Sequence, residues 1–440
     1  MRRITRHSRL IAGLAIAALL FAACGGSDDT GGGDGGGDDT AQTLKIGVIA
    51  PLTGDLSALG LGIRNGAELA IRQANEANTI PGYTLELAPE DDTAKADVGA
   101  QVAAKLASDD EIVAVIGTLN SSVAEQVQPV LSDEGIAMIS PANTNPTLSQ
   151  GADPAKPARP YENYFRVATT DLIQGPFAAD FASKDIKATE VAVVHDNKTY
   201  GKGLSEAFAT RFKANGGKVV LTETVNPGDK DFGAVVSRVR RANPDLVYYG
   251  GEFPEASLLS SQLDQAGVEA PLMGGDGIYD ATFFETGGKG TVGDFATSIG
   301  APLADLETAK DFLAAYEEAG FDEDPSAYGG YAYDAANVII TALEEAVGAA
   351  GEGAEITALR EDLVAAIQGT SIDGVTGKVA FDEFGDTTTK VLTVYTVSTE
   401  CAPATAEGEA DESTTTTAAA AARGDSGTLC WKPEKTDKFE

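Results

Sequence analysis

The chain has 440 residues, 67 acidic and 32 basic, for a formal net charge of −35. A charge of that sign argues against nucleic-acid binding, which depends on cationic neutralisation of phosphates, and it favours solubility. With only two histidines and three cysteines, the chain has little material for a His-dependent triad or a His-rich metal centre. No cofactor or metal is expected.

Residues 1–23 read as a secretory signal peptide. They have a basic head (Arg2, Arg3, Arg6, Arg9), an apolar run from Leu10 to Phe21 and small residues before Cys24. The run is short of the ~20 residues that span a bilayer. Phe21-Ala22-Ala23-Cys24 resembles a bacterial lipobox, in which the cysteine becomes the lipid-carrying N-terminus, with Phe where Leu is commonest. The alternative is an ordinary signal peptide and a stray cysteine. The Gly/Asp-rich stretch that follows favours lipidation of Cys24, with residues 24–43 as a flexible tether. Loss of the four leader arginines takes the net charge to −39.

From Leu44 the chain alternates short apolar strands with amphipathic helices: strands near 45–50, 84–91, 112–117 and 136–140, helices near 62–76, 94–108 and 121–135. Repeated βα units predict a doubly wound parallel sheet, here the first part of one lobe over 44–167. A Pro-rich stretch, 151–160, precedes a restart. Strands near 191–196, 218–225, 245–250 and 270–275 alternate with helices at 200–215, 232–243 and 253–267. This is a second α/β lobe over 168–298. Residues 299–375 read as a helical return to the first lobe, so that several crossings form a hinge. Residues 376–400 read as a second-lobe hairpin turning at Phe384-Gly385-Asp386. Cys401 and Cys430 flank a low-complexity loop, 401–430, and are either a disulfide, favoured in an exported chain, or two free thiols. Residues 431–440 read as a C-terminal tail.

Ligands of open α/β sheets bind beyond the carboxyl ends of strands. After strand 112–117, Ser121 and Ser122 open a helix whose N-terminus favours an anion. Ser122 and Glu125 have capping-box spacing, leaving Ser121 either a second cap or free for a ligand. The next strand ends in Pro141-Ala142-Asn143-Thr144, either an ordinary loop or a second set of hydroxyl and amide groups beside the first.

With RVATTDLIQGP (166–176), VVHDNKTYGKGL (193–204), VYYGGEFPEA (247–256) and LMGGDGIYD (272–280), these segments resemble, in order, the leucine/isoleucine/valine-binding protein family. The resemblance runs from about Leu44 to Val397. It implies two Rossmann-like lobes on a multi-strand hinge, the type I periplasmic binding protein fold. It also implies that Ser121, Ala142 and Thr144 hold a ligand's α-carboxylate and that Asp276 meets its α-ammonium. Tyr200 and Tyr331 match cleft aromatics; core packing is the alternative for both. Glu252 stands where the best-known members have an aromatic residue. It would favour extra positive charge on the ligand, or simply bind a water or hinge amide. Leu59 keeps the first-lobe wall apolar, which suits an aliphatic side chain.

The function implied is that of a monomeric extracytoplasmic lipoprotein, anchored to the outer face of the cytoplasmic membrane. It would capture a branched-chain amino acid by hinge closure and deliver it to the permease of an ABC importer. A sensory role, or another small amino acid, amide or urea as ligand, is the alternative. An enzyme is not expected: Gly60-Leu61-Gly62 and Gly66 approach a dinucleotide fingerprint, but a long loop separates them from strand 45–50.

Overall fold

The computed structural model describes residues 41–153, 155–351, 355–401 and 429–439. The leader, Cys24 and nearly all of the tether, as well as the low-complexity residues 402–428, lie outside the described residues. Strands β1 (Gln42–Ala50), β2 (Tyr83–Asp91), β3 (Ile112–Gly117), β4 (Ala137–Ser140) and β5 (Tyr164–Arg166) form a parallel sheet in the order β2-β1-β3-β4-β5. The next five strands repeat that order. They are β6 (Glu190–His195), β7 (Lys218–Thr224), β8 (Leu246–Gly250), β9 (Leu272–Gly274) and β10 (Phe295–Ile299), arranged β7-β6-β8-β9-β10 and again parallel.

The first sheet shows why the sequence pattern was legible. All six residues of β3 are buried, because helices cover both faces of a parallel sheet. Ile112 and Val115 pack with Leu106, Val123 and Val127 on one side, while Val113 and Ile116 join the core on the other. The helical return supplies that second layer. Helix Gly329–Ala350 lies against helix Ser57–Glu76, so closely that a Cβ on Gly66 would collide with the Gly329 carbonyl. The chain crosses between the lobes at 167–170, 300–309 and 381–389.

Two expectations need correction here. Residues 376–400 do not form one continuous hairpin. Strands β11 (Ser371–Gly374) and β12 (Gly377–Ala380) pair with each other, whereas β13 (Lys390–Ser398) runs antiparallel to β10. The expected turn at 384–386 does close a short hairpin, with Phe381 bridged to Thr387 and the Asp382 amide donating to the Asp386 carbonyl at 2.9 Å. The first lobe holds it as well: the Arg166 amide donates to the Gly385 carbonyl at 3.0 Å. Residues 431–439 of the expected C-terminal tail are a strand: β14 (Cys430–Phe439) pairs antiparallel with β13 at the sheet edge. Strand β10 had no sequence signal, because FATSI is short and carries Thr and Ser among its apolar residues. Cys401 and Cys430 are bonded, with Cα atoms 5.8 Å apart. Among the described residues no helix is long and apolar enough to cross a membrane.

Candidate ligand-binding cleft

In each sheet the strand order reverses beside the first strand of the lobe, at β1/β3 and at β6/β8. A crevice at such a switch point is where open α/β sheets hold ligands. The first lobe's crevice is entered from Gly117, whose φ of +139° and close approach to the Ile49 carbonyl leave no room for a side chain. Helix Ser121–Asp133 follows. Its N-cap residue is Asn120, and no side chain caps it. The expected Ser122–Glu125 capping box is therefore absent, and Glu125 accepts from the Thr199 hydroxyl of the other lobe at 2.9 Å. Ser121 is buried, and its Oγ has no hydrogen-bond partner within the protein.

The loop after β4 is fastened to this one. Asn143 Nδ2 donates to the carbonyls of Thr118 and Leu119, at 2.9 Å each. Ser140 Oγ donates to the Thr118 carbonyl at 3.0 Å and accepts from the amides of Ala142 (3.2 Å) and Asn143 (2.8 Å). Arg166, fully buried, donates to the carbonyls of Asn143 (3.1 Å) and Asn145 (2.8 Å) and pairs with Asp386 at 2.5 Å. Burial alone would raise the Asp386 pKa, but the Arg166 charge together with hydrogen bonds from Gln150, Arg166 and Ser149 outweighs it and holds the carboxyl below its ordinary value. Thr144 sits on the turn so fixed, buried, its Oγ1 without hydrogen-bond geometry to any protein group.

From the second lobe, Asp276 follows β9 and is 1% exposed. Its Oδ1 accepts from Tyr200 Oη (2.9 Å) and Gln174 Nε2 (3.0 Å), and its Oδ2 from Tyr328 Oη (2.8 Å). Burial raises the Asp276 pKa, and the donors from Tyr328, Tyr200 and Gln174 oppose that rise. Tyr200 also accepts the Gly277 amide at 3.0 Å. Glu252, buried after β8, accepts from Asn120 Nδ2 at 2.6 Å and lies 3.5 Å from Lys198 Nζ. Tyr331 is buried one helical turn beyond Tyr328, packed against Gly300 of a crossing segment. It is Tyr328, not Tyr331, whose hydroxyl reaches Asp276. Leu59 is buried in the first-lobe core.

The structure thus joins Tyr200 to Asp276, and sets Ser121, Ala142 and Thr144 on two loops bonded to each other. Sequence reading missed Tyr328, Gln174, Arg166 and Asp171. Asp171 is buried with both carboxylate oxygens unpaired, and its amide donates to the Thr144 carbonyl at 2.9 Å. Burial, with the Asp276 charge adding to it, pushes its pKa up to about 8; the Thr144 hydroxyl nearby opposes the rise. Its only sequence signal is a position at a helix start, which is shared by many solvent-facing acids. A cavity of about 680 Å³ lies elsewhere, walled by Tyr279, Tyr395, Trp431, Leu303 and Tyr331 among others. None of the polar groups that converge on Asp276 lines it, so it is a separate feature.

Residues 43–402 match the family model described as periplasmic binding protein. The chain is 33% identical over 352 residues to a Leu/Ile/Val-binding protein homolog of Brucella melitensis, covering 80% of this chain and 90% of that one. It is 32% identical over 391 residues to a leucine-, isoleucine-, valine-, threonine-, and alanine-binding protein of Pseudomonas aeruginosa (89% and 95% covered). The crystal structure of a leucine binding protein, LivK, from Thermotoga maritima superposes with a TM-score of 0.71. It has 30% identity and covers 80% of this chain and 95% of that one.

Proposed function

Because this chain belongs to the periplasmic binding protein family, extracytoplasmic and non-enzymatic solute-binding components of transport, we propose that it is the substrate-binding lipoprotein of an ABC importer. Its ligand is an amino acid with a branched aliphatic side chain. The observation that carries this reading is the convergence of buried groups from both lobes. Two hydroxyls without protein partners, Ser121 and Thr144, lie on the first; a carboxylate ringed by neutral donors, Asp276, lies on the second.

A zwitterion needs that division. Its carboxylate goes to the hydroxyls and amides at the helix start after β3 and on the Ala142–Thr144 turn, where the helix end favours negative charge. Its ammonium goes to Asp276, whose donors Tyr200, Tyr328 and Gln174 are all neutral, so no protein cation competes with the ligand for that carboxylate. Asp171 stands next to it as a second acid. Charge-assisted hydrogen bonds strengthen when closure excludes water. Closing follows because the shut form alone offers both halves of the site. The closed lobes, held near the membrane by lipid on Cys24, then present one surface to the permease.

The test is titration calorimetry of the mature chain carrying Cys24→Ser against the twenty amino acids, short amides, urea and benzoate. Binding confined to leucine, isoleucine and valine, or strongest for them, supports the reading. Binding of benzoate or urea alone would sink it. Mass spectrometry of the N-terminus of the unaltered protein, showing or failing to show an acylated Cys24, decides the anchor.

A further inference from the structure

Two helices start at the cleft from opposite lobes, and the residues at their N-cap positions are Asn120 and Glu252. Neither side chain caps its own helix. Instead Asn120 Nδ2 donates to Glu252 Oε1 at 2.6 Å, with both side chains buried. Asn120 leaves the first sheet after β3 and Glu252 leaves the second after β8. The bond therefore joins the two switch-point crevices and exists only while the lobes are together.

The charge of Glu252 is balanced on its own lobe. Its second oxygen faces Lys198 Nζ at 3.5 Å. Asp196 lies beside the pair; burial first, then the Glu252 charge, raises its pKa. Glu255, further along the helix, is likewise raised by burial and accepts the Gly228 amide at 2.6 Å. An acid occupied in this way has no free charge to offer a cationic ligand side chain.

We infer that Glu252 is a closure-positioning residue: through its bond to Asn120 it stabilises the shut arrangement of the lobes and does not read the ligand's side chain. The inference rests on the proposed hinge-closing ligand site. A contact present only in the shut form multiplies the shut population by one factor, whichever ligand is present. It therefore scales all affinities together, whereas a residue that touches the side chain changes their order.

The test uses the mature chain carrying Cys24→Ser with three further variants. Asn120→Asp sets two carboxylates face to face. Glu252→Gln removes the charge and keeps the shape. The double variant exchanges the amide and the carboxylate between lobes and restores their pairing. Calorimetry with leucine, valine, alanine and lysine is combined with small-angle scattering of the unliganded proteins. Asn120→Asp is expected to weaken every ligand that the parent binds by a common factor of about ten or more. The double variant should recover most of that loss, and unliganded Asn120→Asp should have a larger radius of gyration than the double variant.

A factor that differs between ligands, or a double variant as weak as the weaker single one, overturns the inference. Should Asn120→Asp fail to fold, Glu252→Gln is judged by the same criterion of a common factor. If none of the four ligands binds the parent, the proposed ligand class fails. The scattering still decides the latch, and equal radii overturn it.

Discussion

The Tyr328 hydroxyl, carried on the first lobe at the start of helix Gly329–Ala350, donates to Asp276 Oδ2 on the second lobe at 2.8 Å. The acid expected to receive a ligand's ammonium is thus held by a neutral donor from across the cleft. Tyr328 orients Asp276 in the shut form without neutralising it.

Removing that acid should therefore abolish binding without unfolding the protein. Asp276→Ala is expected to weaken amino-acid binding by at least a hundredfold, about 3 kcal/mol. Tyr328→Phe, which leaves the charge, should cost about tenfold. Calorimetry beside thermal melting checks both; unchanged leucine affinity in Asp276→Ala would refute its assigned role.

Ser121 and Thr144 make a complementary prediction about the other end of the ligand. Each hydroxyl is buried and makes no direct hydrogen bond within the protein, so its removal breaks no bond of the fold, although Asp171 loses the nearby Thr144 hydroxyl in Thr144→Ala. Ser121→Ala and Thr144→Ala should each lose about 1–2 kcal/mol of binding while leaving melting temperature equal or slightly higher. The same variants should not discriminate against the amide analogue of the ligand as strongly as against the acid, which competition binding can measure.

The buried pair of Arg166 and Asp386 matters for the turn that carries Thr144. Arg166→Met leaves a buried carboxylate without its partner and should destabilise the fold by about 3–5 kcal/mol. Adding Asp386→Leu should return part of that stability without returning ligand affinity, because the Asn143 and Asn145 carbonyls remain unheld. Denaturant unfolding and calorimetry on the two variants separate the effects.

Stability should fall as pH rises from about 4 to 8. Burial lifts the carboxyls of Asp171 to about 8, and of Asp92 and Asp294 to about 7. Between the unfolded value near 4 and those folded values the native state binds more protons than the unfolded one. Raising pH through this window therefore favours unfolding. In the opposite direction, Asp386 is held low by Arg166, so its contribution is lost as pH falls below about 4. The melting temperature of the unliganded protein should peak near pH 4, with Asp171→Asn flattening the alkaline decline. A rising melting temperature from pH 5 to 8 would contradict the assignment.

The repeated βα units were legible because a parallel sheet covered on both faces buries whole strands, as in Ile112–Gly117, and leaves uninterrupted apolar runs in the sequence. The loops after β3 and β4 were legible as candidate sites for the same reason: strand ends fix where they must sit. Strand β10 and the pairing of β13 with β14 left no such trace, since FATSI is short and carries Thr and Ser among its apolar residues, and β14 carries charges along an exposed sheet edge. Partners across the cleft were also beyond sequence reading. Asn120–Glu252 and Tyr328–Asp276 join residues 132 and 52 positions apart. Local propensity and periodicity carry no information about which side chains two separately folded lobes bring face to face. The sequence by itself determined two doubly wound lobes and the residue types at their rims; the tertiary structure decided that Glu252 meets an amide, that Tyr328 rather than Tyr331 reaches Asp276, and that Arg166 fixes the turn. The reason is that each of those bonds depends on how the crossing segments set one lobe against the other.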